Sequence, residues 1–129
     1  MFHLVIGLFV ILHGLVHLWF VTLSQKLIEF QPEMGWTGTS WLLSNLLGPS
    51  TLRLLASVLY VLATIAFVVA GIWTFARAGW WRPVLVGSAL FSSFTILLFW
   101  DGTLQMLVQK GLIGFLINGV ILIALFWQK

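Results

Sequence analysis

The chain has 129 residues, of which 61% are hydrophobic and only 7% charged, and its mean hydropathy is +1.13. A soluble domain carries roughly 25% charged residues, so this composition leaves too little polar surface for a water-soluble body and points to a single-domain integral membrane protein. The lack of cysteine excludes a disulfide scaffold, a zinc–thiolate centre and an iron–sulfur cluster; the net charge of +3 comes from few charges with no basic cluster and gives no reason to expect nucleic acid as a partner.

The first apolar run, from Phe2 to Leu23, reaches about 30 Å as a helix, enough to cross a bilayer. No Lys or Arg precedes it and no small-x-small cleavage site follows, so it reads as a retained first transmembrane helix rather than a signal peptide. Residues 24–50 then bring Gln25, Lys26, Glu29, Gln31, Pro32, Glu33, Gly35 and Gly38, the one sizeable extramembrane segment. Within it Thr39–Leu47 is too apolar for a solvated loop. The pattern predicts a short interfacial helix there, with Trp36 and Trp41 at headgroup level.

Gly48-Pro49-Ser50 breaks the chain, and Ser50 or Thr51 can cap the second span, residues 51–77. Ala56, Ala63, Ala66 and Ala70 fall near one face of it and allow a close helix neighbour. Gly79 suits the C-cap, Trp80-Trp81-Arg82 the membrane edge, and Pro83 the first turn of the third span, residues 83–100. So short a connection makes the second and third spans antiparallel neighbours. Gly87, Ser88, Ser92 and Thr95 give the third span a small, weakly polar face, and Asp101-Gly102 ends it. Thr103 can cap the fourth span, residues 104–127, with Lys110 snorkelling near its entry. Gly111, Gly114 and Gly119 offer it a packing surface, and Asn118 sits near its middle.

The expected architecture is all-α: a four-transmembrane-helix bundle with a short interfacial helix between helices 1 and 2, as one domain over residues 1–129. Both ends of the chain then lie on one side of a multi-pass cell-membrane protein. Arg77, Arg82 and Lys129 stand on that side, against Lys26, Arg53 and Lys110 on the other. Because Arg77 and Arg82 share a very short loop, the positive-inside rule favours cytoplasmic termini.

The chemistry concentrates in His13-Gly14-Leu15-Val16-His17 of the first span. At about 100° per residue the two imidazoles lie about 40° apart on a stripe that His3 begins and Ser24 continues, and polar side chains on such a stripe should face protein. His3 falls near the opposite surface and leaves the group on distance. The half of the bundle where the first span exits also holds Arg53, Tyr60, Ser92, Thr95, Asp101, Asn118, Glu29 and Glu33. The residues expected to line one polar pocket are therefore His13, His17, Arg53, Tyr60, Ser92, Thr95, Asp101 and Asn118. Arg53 and Asp101 form a candidate ion pair at its mouth, and Asn118 an interhelical hydrogen bond.

Several of these stretches recur together: His13-Gly-Leu-Val-His17, Arg53 ahead of an Ala-rich helix ending Phe67-Val-Val-Ala-Gly71, Trp81-Arg82-Pro83, Trp100-Asp101, and Gly114 with Asn118. In this the chain resembles a family of small, uncharacterised four-helix bacterial membrane proteins, often labelled hypothetical or permease-like. It resembles DoxX-like proteins more distantly. The resemblance covers most of the chain outside residues 29–45 and implies that the histidines, Arg53, Asp101 and Asn118 form a recurring pattern; it supplies no reaction.

With no complete catalytic set, the first functional reading is a non-enzymatic binding or accessory membrane protein whose one-sided pocket holds a lipid, quinone-like or other small ligand. Simple interhelical hydrogen bonding by His13 and His17 is the bland alternative. A second reading is a small oligomeric transporter or channel with the two histidines as a proton-sensitive element. A third is a metal- or haem-dependent redox protein using His13, His17 and Asp101 as ligands; the first reading requires no cofactor. The partners implied are the lipid bilayer and a homo-oligomer or partner membrane subunit.

Overall fold

Hydrocarbon offers no partner to backbone N–H and C=O groups, so an apolar run that crosses it must satisfy them internally, as helix. The computed structural model describes residues 1–29 and 34–128 and is all-helical, with no strand among those residues. Gln31, Pro32, Glu33 and Lys129, which enter the sequence expectations above, lie outside the described residues. Among the described residues four stretches are long and apolar enough to span: Phe2–Ser24, Pro49–Phe75, Trp81–Leu98 and Val108–Trp127.

The first comprises α1 (Phe2–Val16) and α2 (Leu18–Ser24), interrupted at His17. The His17 N–H donates to the Gly14 carbonyl at 3.1 Å, three residues back instead of four. Its ring Nδ1–H donates to the carbonyls of His13 (3.0 Å) and Gly14 (3.2 Å), so the side chain competes for the acceptors of the helix ladder.

α3 (Pro49–Phe75) is capped by Gly48, with Pro49 at its first position, rather than by Ser50 or Thr51. Proline suits that position because its missing N–H would have no helical partner and its φ is already helical. Beyond the C-cap Ala76 the helix is closed by Arg77, not Gly79: Arg77 takes φ 53°, its N–H reaching Thr74 O (3.2 Å) and that of Ala78 reaching Trp73 O (3.0 Å). This is a Schellman closure in which two otherwise orphaned carbonyls offset a left-handed non-glycine residue costing about 1–2 kcal/mol.

α4 (Trp81–Leu98) starts two residues earlier than the sequence predicted, with Pro83 in its first turn. The expected interfacial helix between the first two spans is replaced by hydrogen-bonded turns over residues 41–46. The reason lies at the C-terminus of α4, where the last carbonyls lack helical partners. The Trp41 indole N–H donates to Leu97 O (2.8 Å), the Ser40 hydroxyl to Leu98 O, and the Trp41 backbone N–H to Trp100 O (2.8 Å). Trp36, expected in the headgroup belt, is buried against Phe99 with ring centroids 5.9 Å apart.

The last span opens at Val108, not near 104, with a kinked turn (Val108–Leu112) before α5 (Ile113–Trp127). Gly111 inside that turn has φ 106°, a conformation only glycine takes freely. Thr103 does not cap the span. Its N–H and hydroxyl both donate to Asp101 Oδ1 at 3.0 Å, closing a tight turn.

α1 packs on α3, α3 on α4 and α4 on α5. The α1–α3 crossing is close because it is made at glycine. A Cβ at Gly7 would lie 2.9 Å from the Gly71 carbonyl oxygen, and one at Gly14 2.6 Å from Phe67 Cβ. Ala56, Ala63 and Ala70 are wholly buried on α3, while Ala66 is half-buried and Gly119 on α5 meets open space. His3 lies 5.9 Å from Trp81, and Arg82 Nη1 donates to Gln128 O at 2.7 Å. Both ends of the described chain therefore sit beside the α3–α4 turn.

Candidate ligand cleft

The face that closes the bundle, α1 and α2 against the last span, is the loosest. Two cavities lie along it. One, about 190 Å³, runs between Phe2–Val10 and the C-terminal half of α5. The other, about 340 Å³, lies between His13–Phe20 and the kinked turn at Val108–Leu112, with Ile96 at its back and Gly111, Gly114 and Ile117 on its far wall. Its rim residues Val16, Val108 and Ile113 are each more than half exposed, so it opens sideways, where lipid would stand. The kink at Gly111 belongs to this wall.

At the inner edge of this cavity four side chains from three spans join. His13 Nε2 lies 2.8 Å from Asn118 Oδ1; Asn118 Nδ2 lies 2.9 Å from Ser92 Oγ; Ser92 Oγ lies 2.5 Å from His17 Nε2. All four residues are buried. Proton counting fixes the direction for neutral imidazoles. His17 Nδ1 faces two carbonyls and must carry its hydrogen, so Nε2 accepts and Ser92 donates. Ser92 has a single hydrogen, so its oxygen accepts from the Asn118 amide. Asn118 Oδ1 is then left to accept from His13 Nε2–H. The circuit closes where it began, at the His13 carbonyl.

Phe67 forms the floor under both rings, its centroid 4.9 Å from His13 and 5.5 Å from His17. Gly14 permits that contact. Sequence reasoning passed over Phe67, although it lies on the same α3 face as Ala63 and Ala70; that spacing was the available signal. It also missed the bend at Gly111 and the position of Trp19, which lines the cavity while its indole N–H donates to Met34 O at 2.8 Å.

The other residues expected in the pocket are elsewhere. Tyr60 stacks on Phe20 at 4.8 Å and stands behind His17, 6.3 Å ring to ring, within the core. Thr95 is buried but spends its hydroxyl on Phe91 O of its own helix, at 2.9 Å. Ser24, Ser57 and Gln25 form a separate cluster, with Ser24 Oγ 2.5 Å from Ser57 Oγ.

The expected Arg53–Asp101 ion pair does not form. Lys110 Nζ takes Asp101 instead, 2.8 Å from Oδ2, and the Lys110 side chain is 9% exposed rather than snorkelling outward. The kinked turn at Val108–Leu112 places Lys110 over the Asp101 turn. Burial alone would raise the Asp101 carboxyl. Hydrogen bonds from Lys110 and Thr103, with the charge of Lys110, outweigh it and hold the carboxyl below its ordinary value. Arg53 lines a different cavity of about 360 Å³, with Lys26, Glu29 and Trp36, and its guanidinium lies over Gly38. No group of three or more His, Asp or Glu able to hold a metal comes together among the described residues. His13, His17 and Asp101 therefore do not assemble as a ligand set.

The four apolar helices make the chain a multi-pass membrane protein by class. No family model matches the chain, and no curated protein or solved structure shows significant similarity to it.

Proposed function

We propose that this is a non-enzymatic binding or accessory protein of the cell membrane, which holds one amphiphilic small molecule in the cleft between its first and last spans. The observation that carries this reading is the cavity of about 340 Å³ beside the His13–Asn118–Ser92–His17 circuit. Ligand pockets of about 300–1,000 Å³ are largely apolar with a few placed polar groups, and this one opens toward lipid. His13 and His17 on its wall and Asn118 behind them are among the residues that carry the resemblance to small four-helix bacterial membrane proteins, and that resemblance is part of the proposal. We further infer cytoplasmic termini, from Arg77 and Arg82 in their short loop.

Dodecanol titration in mild detergent, followed by native mass spectrometry, tests the cleft. The wild-type protein should retain one alcohol molecule. Gly114→Phe, which projects into the cavity, should abolish retention, whereas Gly119→Phe, at a position with open space around it, should not. No retention by wild type, or equal retention by the two variants, would reject the reading.

A further inference from the structure

We infer that the cleft selects amphiphiles whose headgroup donates a hydroxyl hydrogen bond, and that Nδ1 of His13 receives it. This rests on the ligand cleft proposed above and adds the chemistry of the headgroup.

The His13 ring lines the cavity, and its Nε2–H is committed to Asn118 Oδ1. In a neutral imidazole the other nitrogen then has a lone pair and no hydrogen. Nδ1 makes no hydrogen bond among the described residues. Reversing the Asn118 amide would move the hydrogen of His13 to Nδ1, but the circuit resists that reversal. A turned Asn118 would present its oxygen to Ser92, which would then need two hydrogens, one for Asn118 and one for His17 Nε2. The two carbonyls on His17 Nδ1 thus set, through Ser92 and Asn118, the tautomer of His13 across three spans.

The rest of the wall adds little polarity. His17 has both nitrogens engaged, and the Trp19 N–H is taken by Met34. Gln109 stands exposed at the mouth, where its amide both donates and accepts and so does not discriminate. A ligand with an apolar body and a terminal hydroxyl satisfies the open acceptor. One whose oxygen only accepts places two lone pairs against each other in a dry site, which is costly.

Competition binding in detergent tests this with matched pairs: dodecanol against dodecyl methyl ether, and decylhydroquinone against its oxidised quinone. The hydroxyl-bearing member should bind about tenfold more tightly, the worth of one well-made neutral hydrogen bond. Preference in the first pair alone marks an aliphatic alcohol as the source, and in the second alone a phenolic one. Ser92→Ala frees Asn118 to turn over and should reduce the preference to about threefold or less, while Ser92→Thr, which restores the hydroxyl, should keep it. Thermal midpoints of both variants separate loss of fold from loss of selectivity. Equal binding within both wild-type pairs overturns the donor rule and leaves the cleft standing. Absence of binding by every probe removes the cleft and this inference with it. A preference untouched in folded Ser92→Ala would show that the circuit does not set it.

Discussion

His13, Asn118, Ser92 and His17 behave as one unit, because each side chain is hydrogen-bonded to the next. Removing Ser92 leaves His17 and Asn118 short of a partner, removing Asn118 leaves His13 and Ser92 short, and both changes break the same Asn118–Ser92 bond. Ser92→Ala and Asn118→Ala should each destabilise by about 1–2 kcal/mol, and the double variant by clearly less than their sum, read as a double-mutant cycle in denaturant unfolding. Additive losses would mean that the side chains act independently. Asp101 gives a pH test at the same scale. Its carboxyl is held below the ordinary value of 3.8 in the fold. A group depressed in this way stabilises the folded state above its unfolded value, and loses that contribution as pH falls through the folded one. Wild-type stability should therefore decline as pH drops below 3.8, and Asp101→Asn should flatten that limb of the profile. His13, His17, Ser92 and Asn118 were legible as a polar group because they stand out against apolar spans. The partner of Asp101 was not, since Arg53 and Lys110 both reach that end. Only the kinked turn at Val108–Leu112 decides between them, and no residue pattern announces it.

Among the helices, the close crossing of α1 on α3 is made at glycines whose packing role the sequence does not mark. Gly7, Gly14 and Gly71 look like any other glycines until α1 and α3 are superposed, when they prove to be the points where backbone meets backbone or Phe67. Gly119 looked equally suited to packing and faces open space. The difference gives a paired prediction. Gly14→Ala puts a methyl 2.6 Å from Phe67 Cβ and should cost about 1–3 kcal/mol through forced separation of the helices. Gly119→Ala meets nothing and should be neutral or stabilising by up to about 1 kcal/mol, since glycine weakens a helix interior. Thermal unfolding of the two variants in the same detergent decides it; similar midpoints would mean that α1 and α3 are not in close contact. Spans were readable because apolar length alone requires helix. Their ends were less so. Gly48, Arg77 and the Ser40–Trp41 clasp on α4 all depend on where free carbonyls and N–H groups lie in three dimensions.

At the scale of the molecule, an even number of spans has a consequence that can be read without resolving the structure. The α3–α4 turn and the residues near Gln128 should share one side of the membrane, and the 41–46 turns the other. The contacts that tie the first group together, Arg82 to Gln128 O and His3 beside Trp81, leave little freedom for any other arrangement. Cysteine is absent from the chain, so single substitutions report without background. Gly79 has nothing within 4 Å of an added Cβ, and Leu46 is 72% exposed, so Gly79→Cys and Leu46→Cys should leave packing intact. With a membrane-impermeant maleimide on intact cells, Leu46→Cys should label, while Gly79→Cys and Gln128→Cys should label only after the membrane is opened. Labelling of Gly79 and Gln128 alone in intact cells would keep the bundle and reverse the proposed orientation. Labelling of Leu46 and Gly79 from the same side would contradict the passage of α3 through the bilayer, and with it a cleft that opens sideways into lipid.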